Sequence, residues 1–513
     1  MSVAKDAQAH DTAGFVYKRS HLAIALALCL GAMGTVSTAQ AEAVQPQAAM
    51  SADSDVNPAD LPEADQSIKA APASQWTGMW SRSNMLGDMG GLRSLLGRNG
   101  MTLGLSETSE YLSNVGGGLE HGGSYQGLTT LTLGLDTQLA GLWDGGNANI
   151  SVLDIHGRQF TSQYVGSLQT ASGIEAENTA RLWEAWYQQK FFNGQVDIKV
   201  GQQSIDQEFI VSQYGATFVG TMFGWPAVPS YDMVAGGPAY PLSSLGVRLR
   251  AHLGSDFTFL SGLFDGNPAR NSQGDAQQLD NHGTTFSHHG GGLWLNELQY
   301  AINQPVDGAL DNGKGKNGLP GTYRIGFWYQ NAQTADQRYD DNGLSLSNPA
   351  SDGNAAQHNG NYSVYAIADQ MVWRPAEDSS RTLNVFGRVM SAPGDRNLIS
   401  FSANAGMTLT APFDGRDNDV AGLALGYVRV GNHARELDQD TAQFNSNPAY
   451  PVRSDETFLE ATYQYQLTPW WQLQADLQYT IKPGAGVVLS SDASQTQRIP
   501  NAWVVGLRTN ITF

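Results

Sequence analysis

Charged, amide and aromatic side chains recur on the polar side of alternating segments in this chain. The candidates for an interior site are Glu184, Lys199, Arg248, Arg250, Glu297, Gln299, Arg324, Trp328, Arg388, Gln478 and Arg508. Carboxylates, guanidinium groups and amides offer bidentate hydrogen bonds, and an indole offers an apolar face. Across a narrow water-filled space, opposite charges hold a transverse field that organises water and disfavours apolar solutes. The alternative is that these charges only solvate an interior and brace it by mutual pairing.

An enzyme is the rival interpretation of the same acids, with Glu184 or Glu208 as a catalytic acid. The sequence contains no G-x-S-x-G elbow, no H-E-x-x-H and no phosphate-binding loop. Two carboxylates predict a glycosidase only when their separation is known. We therefore predict that the protein is not an enzyme and has no catalytic residue.

The sequence also predicts no metal site and no cofactor. His282, His288 and His289 share one segment, but they have neither rigid spacing nor a carboxylate partner. Cys29 is the only cysteine and lies in an N-terminal apolar run, so a disulfide framework and Cys-ligated zinc are excluded. A net charge of −19 makes nucleic acid a poor partner.

The elements that must position the interior candidates are short segments of alternating polarity, typical of β-strands with one apolar and one polar face. We count about sixteen, which suit the roughly 9 to 11 residues of a tilted transmembrane strand. They lie near 101–112, 125–140, 147–157, 181–191, 195–205, 244–253, 256–264, 293–303, 321–331, 361–374, 381–390, 399–410, 420–430, 456–467, 471–482 and 500–513.

The connections between these segments decide between a membrane barrel and a soluble β-sandwich, because short and long connections alternate. The short ones include 141–146, 192–194, 254–255, 375–380, 411–419 and 468–470, and the long ones 158–180, 206–243, 265–292, 332–360, 431–455 and 483–499. Short periplasmic turns and long extracellular loops are expected of an outer-membrane barrel, whereas a sandwich has no reason to show them. We predict an all-β, transmembrane antiparallel barrel of about 16 strands.

Aromatic residues indicate two belts at the membrane interfaces. Trp503 and Phe513 lie at opposite ends of the apolar face of the last segment. Tyr365 and Trp373 are predicted to lie at opposite ends of the apolar face of the segment 361–374. Aromatic core packing at strand ends is the alternative. Asp369 falls on that second apolar face by simple alternation, so we expect either a bulge that shifts the register or a contact with another subunit.

The N-terminus is predicted to lie outside the barrel. Basic residues precede an apolar run from Leu22 to Met33, and Ala39-Gln40-Ala41 is a small-residue cleavage site, so residues 1–41 are a signal peptide for Sec-type export. Residues 42–75, rich in Ala and Pro, are predicted to be a disordered linker. Residues 76–100 are predicted to hold a short periplasmic helix with Asp88 as a possible N-cap. The barrel domain then occupies 101–513.

The loop 206–243 is predicted to fold into the barrel and narrow it, because it is long and rich in apolar residues. In that arrangement Trp225 and Tyr240 shape the aperture, while Arg248 and Arg250 face the solute. An external lid that packs on neighbouring loops is the alternative.

Several stretches resemble the OprB family of carbohydrate-selective porins: LGDMGGLRSLL at 86–96, HGR at 156–158, RLWEAWYQQ at 181–189, the FGWP passage within 201–230, and GGPAYPLSSLGVRLR at 236–250. The resemblance covers about 76–513. It implies a sixteen-stranded channel of the Gram-negative outer membrane that passes monosaccharides and related polyols by diffusion. An outer-membrane receptor or adhesin barrel is the alternative.

The resemblance also implies partners. It makes the terminal Phe513 a signal for the barrel-assembly machinery, and small neutral sugars the solutes. Acidic outer loops would meet divalent cations that bridge lipopolysaccharide, though a solvated surface explains those acids as well. Monomer and homo-oligomer both stay open.

Overall fold

The computed structural model describes residues 78–269, 274–287, 291–304, 318–376 and 379–513. The predicted signal peptide and linker, 1–41 and 42–75, lie outside these residues, as do His288 and His289. Among the described residues, no helix is both long enough and apolar enough to cross a membrane.

The described residues form one closed antiparallel barrel in which consecutive strands pair and the first strand pairs with the last. The sixteen strands are β1 (Met101–Gly116), β2 (Gly122–Asp136), β3 (Gly146–Gly157), β4 (Thr179–Phe191), β5 (Val196–Gln203), β6 (Ser244–Leu253), β7 (Phe257–Asp265), β8 (Gly292–Ile302), β9 (Gly321–Asp340), β10 (Ala355–Trp373), β11 (Thr382–Ser391), β12 (Ile399–Thr410), β13 (Val420–Val430), β14 (Asp455–Thr468), β15 (Trp471–Ile481) and β16 (Ala502–Thr512). The predicted fold class is confirmed.

Alternation places apolar side chains outside and polar side chains inside. On β14, Leu459 is exposed on the outer surface, while its neighbours Phe458 and Glu460 are buried inside. On β16, Trp503 and Leu507 are exposed outside. A period of two therefore reports the two faces correctly along these strands.

The connections sort by length between the two ends of the barrel. One end, the long-loop end, carries 158–178, 204–243, 266–291, 341–354, 431–454 and 482–501, together with the shorter 117–121 and 392–398. The other, the short-turn end, carries 137–145, 192–195, 254–256, 374–381, 411–419 and 469–470, together with the longer 303–320. The predicted asymmetry holds with these three exceptions.

Strands β9 and β10 are longer than predicted, with 20 and 19 residues. Most of the predicted loop 332–360 is therefore an extension of this hairpin beyond the barrel. Asp336 in the extension lies 2.8 Å from His358 Nε2 on the paired strand and 2.9 Å from His433 Nδ1. Hydrogen bonds of this kind stabilise the part of the hairpin that extends into water. Neither face of that part meets lipid, so its residues need not alternate between apolar and polar.

The described helices are short and lie between strands or before β1. They are α1 (Leu92–Gly97), α2 (Thr221–Gly224), α3 (Ala227–Asp232), α4 (Ala276–Leu279), α5 (Asn432–Phe444) and α6 (Pro483–Gly486), with 3-10 turns at Met89–Gly91, Gly215–Thr217 and Val234–Gly236 and a π-turn at Thr161–Val165. In α6, Gly484 and Ala485 have positive φ, so that segment is a left-handed turn rather than a regular helix.

The helix predicted within 76–100 is present as α1, but its N-cap is Gly91 rather than Asp88. The Asp88 carboxylate still accepts the Ser94 backbone N–H at 2.7 Å, which satisfies one free donor of the first turn. Arg93 donates to the backbone carbonyl of Leu103 at 2.7 Å and to that of Phe513. The N-terminal segment thus holds the seam where β1 meets β16.

The predicted faces of β10 are wrong. Tyr365 and Asp369 face the interior, where both are buried, and Val364 is exposed on the outer surface. A register shift between Met371 and Trp373 returns Trp373 to the outside. A bulge does exist on this strand, but Asp369 precedes it and needs neither a bulge nor a second subunit.

Candidate functional site

The interior of the barrel is occupied by the connection 204–243, which we call the inner loop. The backbone N–H of Ile210 donates to Glu297 on β8 at 2.9 Å. The backbone N–H groups of Val219 and Gly220 donate to the two carboxylate oxygens of Glu460 on β14, at 2.6 and 2.9 Å. Inward side chains from opposite parts of the wall therefore hold this loop inside, as the sequence predicted.

Apolar side chains of the inner loop form the core of the protein with one wall of the barrel. Phe209 packs edge-on against Phe264 of β7, with ring centroids 6.3 Å apart. Trp225 and Trp328 belong to the same buried cluster. Trp225 is 9% exposed and donates its indole N–H to the carbonyl of Gly236 at 3.1 Å. Trp225 therefore anchors the inner loop, and its predicted place at the aperture is wrong.

A second connection, 158–178, also enters the barrel; we call it the second inner loop. The backbone N–H groups of Leu168 and Gln169 each donate to Glu456 on β14 at 2.8 Å. Gln478 on β15 donates to the carbonyl of Ala171 at 2.8 Å. This arrangement could not be predicted from the sequence, because the loop is polar and its anchors Glu456 and Gln478 lie 288 and 307 residues further along the chain.

A network of charged side chains lies under the inner loop on β5 and β6; we call it the β5–β6 ion cluster. Arg248 pairs with Asp197 and donates to Glu208 of the inner loop at 3.2 Å. Lys199 also pairs with Glu208, and Arg250 donates to Asp197 at 2.7 Å. Burial alone would raise the pKa of Glu208, but the charges of Lys199 and Arg248 lower it to about 2. The loop carboxylate therefore stays ionised and bound to the wall.

Arg248 is 1% exposed, so it does not face a solute as predicted, whereas the Arg250 side chain keeps 16% exposure. Glu184 on β4 also faces inward but is buried, and it accepts the backbone N–H of Ser204 at 3.0 Å. Both buried residues hold the start of the inner loop.

Replacing Arg248 with Met should lower the free energy of unfolding by about 3–5 kcal/mol, because Asp197 and Glu208 would each lose a buried positive partner. Guanidinium unfolding of the purified protein, followed by tryptophan fluorescence, measures this. Arg250→Met is the matched control on the same strand and should cost less, since Arg250 is partly exposed. Equal losses in the two variants would contradict the bracing role of Arg248.

A second network joins β8, β9 and β10. Arg324 donates to Asp369 at 2.8 Å and lies 3.9 Å from Glu297. The Tyr365 hydroxyl donates to Glu297 at 2.9 Å, and the Ser212 hydroxyl of the inner loop donates to Asp369 at 2.7 Å. Every group of this network is buried. Glu297 and Arg324 therefore face inward as predicted, but the inner loop covers them.

Arg388 on β11 binds the backbone of the inner loop. Its guanidinium donates to the carbonyls of Ile210 and Gly224 at 2.9 Å each, and to those of Met222 and Phe223 at 2.6 and 3.0 Å. One buried side chain thus gives hydrogen bonds to four backbone carbonyls of the inner loop. Buried backbone carbonyls need such partners, and these four have none in the sheet. Arg388 is a loop anchor rather than part of the pore lining.

A separate group of charges lies where the two loops approach β1 and β16; we call it the seam group. Arg508 donates to Glu110 at 2.8 Å, and its side chain is 13% exposed. Tyr240 of the inner loop is half-buried, and its hydroxyl donates to the carbonyl of Ile174 at 2.9 Å. Burial raises the pKa of Tyr240, and Arg181, Glu110 and Arg508 all act on it through their charges. Arg508 and Tyr240 both keep some exposure inside the barrel, and the charge of Arg508 acts on Tyr240.

A polar hollow opens at the long-loop end beside the second inner loop. Its volume is about 290 Å³, and Arg158, Gln159, Glu177 and Asn178 contribute to its lining. Gln159 donates to Glu177 at 2.6 Å, and Arg158 is exposed. The hollow therefore presents hydrogen-bond donors and acceptors to solution. HGR at 156–158 was the only sequence signal at this position.

The predicted site residues therefore divide into two sets. Glu184, Trp225, Arg248, Glu297, Arg324, Trp328 and Arg388 are buried, and all except Trp225 lie on strands with their side chains inward. Arg250, Tyr240 and Arg508 keep some exposure. Four further interior acids on strands, Asp197, Glu110, Glu456 and Glu460, and the inward-facing Glu208 of the inner loop were not among the predicted site residues. The four strand residues could have been predicted, because alternation places each of these acids on the polar, inward face of its strand.

A closed transmembrane barrel whose polar interior is narrowed by loops defines a diffusion channel of the porin class. Residues 120–513 match the model of the family described as "Carbohydrate-selective porin, OprB family". The chain belongs to the OprB family, whose members are carbohydrate-selective porins, and its place is the outer membrane of Gram-negative bacteria.

Individual relatives agree with this assignment. Porin B of Pseudomonas aeruginosa is 26% identical over 462 residues, which are 86% of this chain and 92% of that protein. The putative porin QuiX of Acinetobacter baylyi is 22% identical over 466 residues, covering 85% and 94%. The high-pH structure of Pseudomonas putida OprB has the same fold, with a TM-score of 0.73 at 22% identity over 85% of this chain and all of that one.

Proposed function

We propose that the barrel passes small neutral sugars, namely glucose-like monosaccharides and related polyols, by passive diffusion, and that it excludes larger sugars. The observation that carries this proposal is the anchoring of two loops inside the lumen. A sixteen-stranded barrel without such loops encloses a wide aqueous channel. With both loops inside, the passage is restricted, and the groups beside it are polar and charged.

We assign solute contact to Arg508, Tyr240 and Arg250. A sugar presents hydroxyl groups that pair with guanidinium and carboxylate groups, and C–H surfaces that pack on aromatic rings. Arg508 and Tyr240 supply these features and are partly accessible, while the buried carboxylate of Glu110 holds Arg508. The buried residues Glu184, Trp225, Arg248, Glu297, Arg324, Trp328 and Arg388 position the inner loop instead.

Orientation in the membrane follows from the lengths of the connections. We assign the short-turn end, with α1 and the linker 42–75, to the periplasm and the long-loop end to the cell exterior. Residues 1–41 would direct Sec-type export, and Phe513 would be read by the barrel-assembly machinery. Acids of the outer loops would meet cations that bridge lipopolysaccharide.

Swelling of liposomes that contain the purified protein tests the proposal. Proteoliposomes should swell readily in glucose or a polyol, and much more slowly in a disaccharide of the same osmolarity. Liposomes without protein are the control. Equal swelling in mono- and disaccharide would contradict a selective constriction, and no swelling in any sugar would favour the receptor alternative.

A further inference from the structure

The polar hollow beside the second inner loop has no part in the solute contacts proposed above. It lies between the two ends of that loop, residues 157–163 and 176–178, where the chain leaves β3 and enters β4 at the long-loop end. Its volume of about 290 Å³ is close to the lower limit of the roughly 300–1,000 Å³ that ligand pockets occupy. A ligand of this hollow is therefore small.

Hydrogen bonds between the two ends of the loop fix the shape of the hollow. The Glu175 carboxylate accepts the backbone N–H groups of Phe160 and Thr161 at 2.9 Å each, and the Thr161 hydroxyl at 2.7 Å. The side-chain amide of Asn178 donates to the carbonyl of Gly157 at 2.8 Å. A preformed site spares the entropic cost of ordering its walls around a ligand, so a few contacts suffice for binding.

The lining of the hollow carries one charge of each sign. Arg158 is exposed, and its guanidinium has neither a hydrogen bond nor an ion pair among the described residues. Glu177 accepts one side-chain hydrogen bond, from Gln159 at 2.6 Å, which leaves its second oxygen for a ligand. The other polar side chains of the lining are neutral and belong to Ser162, Gln163 and Asn178. The hollow thus offers donors beside acceptors, and the two charges of its lining cancel.

This combination fits a neutral polyhydroxyl solute better than an ion. Each hydroxyl of a sugar both donates and accepts, so one can accept from a guanidinium while its neighbour donates to a carboxylate. An anion would be repelled by Glu177, and a cation by Arg158. The lining residues that the structure describes include no aromatic ring on which the sugar could pack. Binding is therefore weak and release is fast.

The hollow also adjoins a residue that we assign to solute contact. Ala176, which belongs to the lining, packs in a buried cluster with Leu153 and Ile155, and Tyr240 packs against the same cluster. The carbonyl of Ile174, two residues earlier, accepts the hydrogen bond of the Tyr240 hydroxyl at 2.9 Å. One short segment of the second inner loop, 174–177, therefore contacts both the hollow and Tyr240.

We propose that the polar hollow is an outer capture site, which binds a monosaccharide at the long-loop end before the sugar enters the passage. Arg158 and Glu177 hold the sugar by its hydroxyl groups, and Gln163 supplies a neutral amide. This inference rests on the proposed passage of sugars through the barrel. The capture site raises the sugar concentration at the mouth of the channel, which speeds uptake when sugar is scarce and has no effect once the passage is saturated.

Uptake of radiolabelled glucose by cells whose only sugar porin is this protein tests the proposal. Arg158→Ala should raise the half-saturating glucose concentration about tenfold, the effect of one lost hydrogen bond to a charged group, and should leave the maximal rate unchanged. Arg498→Ala removes an exposed arginine from the connection 482–501 at the same end of the barrel. This matched control should change neither value. An unchanged half-saturating concentration in Arg158→Ala would overturn the capture site.

Glu177→Gln distinguishes a sugar site from an anion site. Saturation-transfer NMR of the purified protein should show binding of glucose and little binding of gluconate. In the variant, the gluconate signal should rise at least about threefold relative to that of glucose, because the carboxylate that repels the anion is gone. A preference of the unchanged protein for gluconate would overturn the capture site.

Liposome swelling separates failure of this inference from failure of the proposed function. If proteoliposomes swell in glucose while Arg158→Ala and Glu177→Gln leave uptake and binding unchanged, only the capture site is wrong. If the unchanged protein gives no swelling in any sugar, the capture site and the proposed function are both wrong. Swelling of Arg158→Ala proteoliposomes in glucose also shows that the variant has folded, since its maximal rate is expected to be normal.

Discussion

Replacing Arg388 with Ala should widen the channel and abolish its discrimination between mono- and disaccharides. The guanidinium binds the carbonyls of Ile210, Met222, Phe223 and Gly224, and without it these buried acceptors lose their partner. Hydrogen bonds to a charged group contribute about 1.5–3 kcal/mol each. Their loss should release this part of the inner loop from β11. Single-channel conductance should rise by roughly twofold or more, toward that of an open sixteen-stranded pore.

Two variants distinguish loop release from a general loss of charge. Arg388→Lys keeps the charge but has no planar fork, so it should bind fewer carbonyls and give an intermediate conductance. Arg416→Ala removes a guanidinium that pairs with Asp419 at the short-turn end, and should leave conductance unchanged. Unaltered conductance in Arg388→Ala would mean that Glu297 and Glu460 suffice to hold the loop. The migration of unheated samples on gels checks that each barrel is folded.

The strands could be predicted from the sequence because lipid favours apolar side chains on one face and the aqueous interior favours polar side chains on the other. Where residues alternate in this way, as in β14 and β15, the pattern predicts both faces correctly. The prediction of the two faces fails on β10, because the interior face of this strand is apolar too. Tyr365 and Ile367 pack in the core formed with the inner loop. Asp369 was the residue that marked the inward face, since an acid at that depth is far better placed inside.

The extent of β9 and β10 could not be predicted for a related reason. Beyond the membrane both faces of the hairpin are polar, so hydrophobic period carries no signal there. The extension is held by specific pairs, such as Asp336 with His358 and Arg338 with Asp440. The helix α5, which supplies Asp440, lies within the connection 431–455, and its polar composition predicts a loop there rather than a helix.

The candidate site was predictable only as a set of inward charges. Which of them face a solute depends on the path of two loops, and that path is set by contacts across about 240 residues, such as Val219 with Glu460. The pattern of residues within one strand cannot predict these long-range contacts. Arg248 and Arg508 therefore look alike in the sequence, although one is covered by the inner loop and the other is partly open.

Replacing Arg508 with Ala should weaken sugar binding in the channel and make the channel more selective for cations. Arg508 pairs with Glu110, whose side chain is fully buried, so its removal leaves an uncompensated negative charge beside the passage. A charge on a low-dielectric wall alters the local concentration of ions. Loss of a charged hydrogen bond to a sugar hydroxyl costs about 1.5–3 kcal/mol, which corresponds to roughly 10- to 100-fold weaker block of ion current by sugar.

A double variant separates the two effects. In Arg508→Ala/Glu110→Gln the pair is neutral, so ion selectivity should return toward that of the unchanged protein, while sugar block stays weak because the donor is still missing. Arg508→Lys should behave in the opposite way, with ion selectivity kept and sugar block reduced, since an ammonium cannot donate as a planar fork. Reversal potentials in a salt gradient measure ion selectivity, and current noise with added glucose measures block. If Arg508→Ala keeps normal sugar block, Arg508 only braces β16 against β1, and the solute contacts belong to Arg250 and Tyr240.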